Sequence, residues 1–263
     1  MIPEIIHYCW FGKKPLSKDA LRCIDGWKEK LPGYEIREWN EDCFDVNSIR
    51  YVREAYEAKK WAFVSDYVRL YALVTFGGIY MDTDVEVIKP LDKYLEYKAV
   101  AGFQSDNEIN TGLMACEKAY PVFEKLLHDY DGRCFKKEDG TYDVKYTNVD
   151  AVTACLSKMG FRLDNSFQVK DGFALFPKDV FCAKDYLTRE VHITENTVTV
   201  HHFEGSWTAP DEKLEARIIE KTNQWNAKGL GRVLTEPIRF GRRIKWKVEG
   251  KSITKIFRKK GGK

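Results

Sequence analysis

The chain has 263 residues, 44% hydrophobic and 32% charged, which reads as a soluble globular protein long enough for one large domain or two small ones. No stretch approaches the roughly 20 apolar residues needed to span a bilayer, and the N-terminus lacks the basic segment and apolar run of a signal peptide. The net charge is only +3, but positions 239–263 hold eleven Lys or Arg against the single acidic Glu249, so the preceding residues are net acidic.

Seven cysteines, at positions 9, 23, 43, 116, 134, 155 and 182, form no CxxC pair. Their odd number and scatter argue against a disulfide framework or a zinc site and suit a reducing compartment. Aromatic residues make up 14% of the chain, which suits a packed core or a site that stacks sugars or bases.

In chain order, Ile5 to Gly12 is apolar and β-branched and reads as a buried first strand. Ser17 begins a helical pattern through Leu31 that stops at Pro32-Gly33. Tyr34 to Trp39 alternates like a strand, and Asn47-Ser48 is placed to cap a helix from Ile49 to Lys60. Trp61 to Phe76 is apolar on nearly every helical face, which predicts a buried helix stopped by Gly77-Gly78. Ile79 to Met81 is a short buried strand, and Val85 to Ile88 continues extended. Ala99 to Phe103 and Thr111 to Cys116 read as strands, Pro121 to Tyr130 and Val149 to Met159 as helices. Gly132 to Tyr146 reads as a polar loop or hairpin, Asn196 to Phe203 as β-rich, and Asp211 to Trp225 as a helix. The alternation of strands and helices predicts a mainly parallel α/β sheet.

The sharpest chemical signal is Gly77-Gly78-Ile79-Tyr80-Met81-Asp82-Thr83-Asp84. Positions i and i+2 of an extended chain point the same way, so Asp82 and Asp84 leave the strand as neighbouring carboxylates. Such a pair repels unless a cation or donor lies between. A hard divalent ion, Mn²⁺ or Mg²⁺, accepts carboxylate oxygens and leaves room for phosphate oxygens. An aspartyl-nucleophile phosphatase also places Asp-x-Asp after an apolar strand, but usually wants Thr or Val where Glu86 stands.

Asp66 and Arg69 share one face of the buried helix. They can form a self-satisfying ion pair or reach out of the core toward ribose and sugar hydroxyls. His201-His202-Phe203-Glu204-Gly205-Ser206-Trp207 offers an imidazole to complete a metal site, a hydroxyl at Ser206 and a flat ring at Trp207. His201 and His202 should face opposite sides of their strand, and the sequence does not choose between them. Tyr8 and Trp10 can stack on a base or pack in the core. Asn110-Thr111-Gly112 offers an amide and exposed backbone to sugar hydroxyls, or is a simple turn.

The run Trp61 to Leu73, followed by Gly77 to Asp84, resembles the sugar-binding Asp-x-Asp region of glycosyltransferase family 32. The opening Ile2 to Gly12 and the closing His201 to Trp207 resemble the corresponding blocks of its bacterial members, in the same order. The resemblance implies a GT-A fold: a Rossmann-like, nucleotide-binding mixed sheet flanked by helices, over residues 1–232, with 233–263 as a basic amphipathic tail. It implies retaining transfer of a hexose or N-acetylhexosamine from a nucleotide-diphosphate sugar, UDP rather than GDP, to a glycan or lipid-linked glycan acceptor in surface polysaccharide synthesis.

Under this resemblance Asp82 and Asp84 are catalytic. The metal ligands come from Asp82, Asp84 and one of His201 and His202. Tyr8, Trp10, Asp66, Arg69, Asp82, Asn110, Ser206 and Trp207 bind the donor, and the metal is Mn²⁺ or Mg²⁺. Residues 146–150 stand where many members carry Thr-Gly-Pro, so no acceptor residue is assigned there. A non-catalytic sugar-nucleotide-binding module and an effector that glycosylates a protein are the alternatives. The expected location is cytoplasmic or peripheral on the inner face of the membrane, where the tail fits docking on an anionic leaflet. No nucleic-acid partner is expected.

Overall fold

Five apolar runs become the middle of one sheet: β1 (Ile5–Cys9), β3 (Gly78–Met81), β5 (Ala99–Phe103), β6 (Ile109–Cys116) and β8 (Phe173–Phe176). β2 (Glu35–Trp39) and β7 (Gln168–Lys170) form its edges, giving the order β2-β1-β3-β6-β5-β8-β7. The computed structural model describes residues 1–144, 146–205, 210–224 and 230–248.

The sheet is mixed, not mainly parallel. β1 runs parallel to β2 and β3, and β5 parallel to β8, while β6 is antiparallel to both its neighbours and β7 antiparallel to β8. The reversal at β6 is why alternation alone misleads: β5 and β6 are joined by a short turn, and a short turn can join only antiparallel neighbours. This is a mixed α/β sheet flanked by helices, the arrangement that the family resemblance implies.

The first six helices are α1 (Lys18–Lys30), α2 (Arg50–Glu57), α3 (Trp61–Phe76), α4 (Pro121–His128), α5 (Asn148–Lys158) and α6 (Lys178–Phe181). α3 keeps its predicted limits, and Ser17 caps α1 by accepting the Ala20 N–H at 3.1 Å. The cap expected at Asn47-Ser48 is absent: Ile49 stands at the N-cap of α2 with no side-chain bond. The short β7, β8 and α6 were not expected from the sequence, because three or four residues carry no readable period.

Alternate residues of β3 serve two cores. Tyr80 faces the core shared with α2, α3, α4 and α5, while Ile79 and Met81 face the core that includes Trp27 of α1. The turn from α3 into β3 needs glycine at 78: its φ is +98°, and a Cβ there would lie 2.5 Å from the Ile5 carbonyl oxygen. A second, two-stranded sheet pairs β4 (Val85–Val87) with β9 (Thr199–His201).

The chain divides into two compact units, Met1–Tyr186 with Val191–Trp207, and Leu187–Glu190 with Thr208–Lys263. The second contains α7 (Pro210–Gln224) and α8 (Leu230–Val248), and α8 runs across position 232/233. Within it, Asn223 Nδ2 donates to the Thr188 carbonyl at 2.7 Å, and Arg189 lies 3.3 Å from Glu220.

His7 sits fully buried in β1. Trp39 Nε1–H donates to its Nδ1 at 3.1 Å, so Nε2 carries the proton and donates to the Gly77 carbonyl at 2.8 Å. Burial, only partly offset by that last bond, pushes its pKa down from 6.5 to about 4. The folded-state value lies below the unfolded one, so the unfolded chain takes up a proton that the folded chain refuses. This contribution is full above about pH 6.5 and is lost as the pH falls toward 4, roughly 3 kcal/mol in all. His7→Gln should flatten the stability–pH curve across that window in urea melts; an unchanged slope would show that His7 does not carry it.

Candidate functional site

β3 ends at Met81, and Tyr80 and Asp82 project to the same side of it. Tyr80 OH donates to Asp82 Oδ1 at 2.8 Å. From α3, Arg69 reaches the same oxygen: its Nη2 lies 3.4 Å from Asp82 Oδ1 and 3.2 Å from Asp66 Oδ1. Arg69 Nη1 donates to the Thr111 carbonyl at 2.7 Å, and the guanidinium lies 4.6 Å over the Tyr80 ring. Arg69 is only 5% exposed. Burial opposes its charge, but Asp82, Tyr80 and Asp66 outweigh it and hold it protonated. Burial pushes the Asp66 carboxyl up to about 6, against the pull of Arg69. The Asp66–Arg69 ion pair weighed from the sequence is therefore formed, and it also grips Asp82.

Asp84 is set by the small sheet. β4 and β9 pair with Val85 opposite His201, which brings the imidazole across from Asp84 although 117 positions separate them in the chain. Trp27 Nε1 donates to the Val85 carbonyl at 2.7 Å and anchors β4 to α1. After β9 the chain wraps Asp84: the His202 N–H donates to the Asp84 carbonyl at 2.9 Å, and the Glu204 N–H to Asp84 Oδ2 at 2.8 Å.

One oxygen of each carboxylate is thus tied to the protein. The other two, Asp82 Oδ2 and Asp84 Oδ1, lie 3.8 and 3.3 Å from His201 Nε2. One ligand atom from each of Asp82, Asp84 and His201 falls within 4.8 Å of the others. Burial works against both charges here. The carboxylates nevertheless raise the His201 pKa, and His201 with the Glu204 N–H lowers that of Asp84. The imidazolium supplies the positive charge between two acids, and a divalent ion there would release its proton.

The surroundings fit an ion. Gly112 approaches so closely that a Cβ would sit 2.6 Å from His201 Cε1 and 3.0 Å from Asp82 Oδ2. Asn110 is fully buried: its Oδ1 accepts from the Gly112 N–H at 2.9 Å and faces His201 Nδ1 at 3.3 Å, while its Nδ2 has no protein partner. The Phe203 ring stacks on the imidazole at 4.1 Å, on a backbone held at φ +55°. A bulky residue in that region signals strain at a functional place.

Of the two histidines left open by the sequence, His201 joins the carboxylates. His202 turns the other way and pairs with Glu86 at 2.7 Å, which also explains the Glu86 that weakened the phosphatase reading. Tyr8 is buried, with its OH donating to Glu38 at 2.7 Å and its ring edge-on to Trp27. Trp10 Nε1 donates to the Lys14 carbonyl at 2.6 Å. Ser206 and Trp207 lie outside the described residues. The sequence reading passed over Tyr80, although its position two before Asp82 in a strand was a usable signal. Trp27 and Phe203 carried no signal, because their roles depend on contacts across the fold.

Fold and site together define a mixed α/β chain that carries an Asp-x-Asp pair beside a buried histidine. Residues 17–101 match the family model described as the glycosyltransferase sugar-binding region containing DXD motif. It is 29% identical over 135 residues to inositol phosphoceramide mannosyltransferase 3 of Schizosaccharomyces pombe, covering 49% of this chain and 37% of that protein. It is 26% identical over 183 residues to "subversion of eukaryotic traffic protein A" of Legionella pneumophila, covering 56% of this chain and 28% of that one. The chain therefore spans about a third of the length of these relatives. A solved PaToxG glycosyltransferase superposes with a TM-score of 0.44 at 17% identity, over 60% of this chain and 69% of that one.

Gly112→Ala forces a methyl group into the imidazole and the Asp82 carboxylate. The variant should stay folded by circular dichroism and lose Mn²⁺ binding by on the order of 10–100-fold in calorimetry. Wild-type binding would show that this close approach does not shape the site.

Proposed function

We propose that the protein is a divalent-metal-dependent, retaining glycosyltransferase. It moves a hexose or N-acetylhexosamine from a nucleotide-diphosphate sugar, UDP rather than GDP, onto a glycan acceptor in surface polysaccharide synthesis. The observation that carries this reading is the convergence of Asp82 Oδ2, Asp84 Oδ1 and His201 Nε2, with the second oxygen of each acid tied off. Two carboxylate oxygens and one imidazole suit Mn²⁺, which takes both ligand types.

When bound, the metal would neutralise charge on the departing diphosphate. The chain's own residues set the geometry. Arg69 and Tyr80 pin Asp82, and the backbone around Glu204 pins Asp84. In a front-face transfer the bond from the acceptor oxygen to the anomeric carbon forms as the bond to the diphosphate breaks. The acceptor proton passes to the diphosphate on that same face.

A second reading, transfer onto a protein, draws on the likeness to the Legionella protein named for subversion of eukaryotic traffic. Both readings share the donor half of the reaction. In a nucleoside-diphosphate release assay with a UDP-sugar panel and Mn²⁺, Asp84→Asn should cost on the order of 10²–10³ in kcat, and EDTA should silence the wild type. Full activity in Asp84→Asn or in EDTA would sink the metal role. Label recovered on glycan or on protein separates the two acceptors.

Docking of the basic C-terminal segment on an anionic leaflet belongs to the same proposal. No helix among the described residues is long and apolar enough to cross a membrane. In α8, however, Leu230, Val233, Leu234 and Phe240 are exposed. At 100° per residue these four share one stripe, and the sequence from 239 to 263 supplies eleven Lys or Arg against one acidic residue. Residues 249–263 lie outside the described part. The full chain should pellet with phosphatidylserine vesicles at low salt, and a chain lacking residues 239–263 should pellet less; equal pelleting would end the idea.

A further inference from the structure

We propose that Asn110 is a positioning residue for His201: its Oδ1 accepts from the imidazole Nδ1–H and so reserves Nε2, on the side of Asp82 and Asp84, for a divalent cation. The inference rests on the metal reading above and adds to it the part that sets the imidazole.

The orientation of the Asn110 amide is decided by its neighbours. The Gly112 backbone N–H can only donate, so the amide atom 2.9 Å from it must be the oxygen. Asn110 is fully buried, and its amide cannot turn over without setting its NH₂ against that N–H. The same oxygen lies 3.3 Å from His201 Nδ1. An oxygen offers only lone pairs, so Nδ1 must carry a hydrogen. In the neutral ring this places the lone pair on Nε2, the nitrogen 3.3 Å from Asp84 Oδ1 and 3.8 Å from Asp82 Oδ2.

The ring is also held in place sterically. Gly112 approaches close to Cε1 and Nδ1, and Phe203 covers a face at 4.1 Å. Rotating the imidazole would break the Asn110 bond. An outer partner that fixes the tautomer and orientation of a metal-binding histidine is a recurrent requirement of such sites, and here it is a carboxamide.

The test compares the wild type, Asn110→Leu, Asn110→Asp and His201→Gln in Mn²⁺ calorimetry, with ¹H–¹⁵N spectra of ¹¹³Cd-loaded protein to read His201. Asn110→Leu keeps the volume and removes the acceptor. It should weaken Mn²⁺ about 10–100-fold and lose the uniform Nδ1–H form. Asn110→Asp keeps the acceptor; it should retain Nδ1–H, with cadmium on Nε2, and bind Mn²⁺ at least as tightly as the wild type. Wild-type binding by Asn110→Leu, alongside weakened binding by His201→Gln, overturns this inference alone. No Mn²⁺ binding by the wild type, or undiminished binding by His201→Gln, overturns the metal reading and this inference with it. Should Asn110→Leu fail to fold, the wild-type spectrum decides: cadmium on Nδ1 overturns the proposal, and cadmium on Nε2 with Nδ1–H retained in Asn110→Asp supports it.

Discussion

The site depends on the buried guanidinium of Arg69. It is almost wholly withdrawn from water and meets Asp66, Asp82, the Thr111 carbonyl and the Tyr80 ring. It thereby joins α3, the end of β3 and the start of β6. A lone charge in that position would be expensive, and so would either acid alone. Removing one member of a buried ionic group typically costs about 3–5 kcal/mol, because the remainder is left uncompensated. The otherwise apolar α3 can carry Asp66 and Arg69 because each supplies what the other lacks.

From that anchor follows a division between the oxygens of each carboxylate. Asp82 is held through Oδ1 by Arg69 and Tyr80, and Asp84 through Oδ2 by the Glu204 N–H. The remaining oxygens share one small space with His201 Nε2. Groups fixed in advance need not reorganise when charge develops in a reaction, which is the basis of electrostatic catalysis. The strained backbone at Phe203 belongs to the same construction, since it lays an aromatic ring on the imidazole.

The family match ends at residue 101, yet the site is closed by residues beyond it. Asn110 and Gly112 arrive on β6, which lies beside β3, and His201 arrives on β9, opposite β4. Two strand pairings therefore complete a constellation that the matched region begins. The antiparallel course of β6 allows its Gly112 end to meet the Asp82 end of β3, where the Asp82 N–H donates to the Gly112 carbonyl at 2.8 Å.

The sequence by itself determined the local elements and the chemistry of the acids. Trp61–Phe76 announced a buried helix by apolar residues on nearly every face, Gly77-Gly78 its end, and Asp82-Thr83-Asp84 a pair of carboxylates that needs a counter-charge. These features depend on neighbours a few positions apart, and periodicity records them. Only the tertiary structure decided that His201 and not His202 meets the acids, that Arg69 grips Asp82 as well as Asp66, that Tyr8 spends its hydroxyl on Glu38, and that β6 runs backwards. Each of these depends on strand register or on a contact spanning many residues. A register shift of one position would turn His201 away and His202 inward, and no local pattern records which register is adopted.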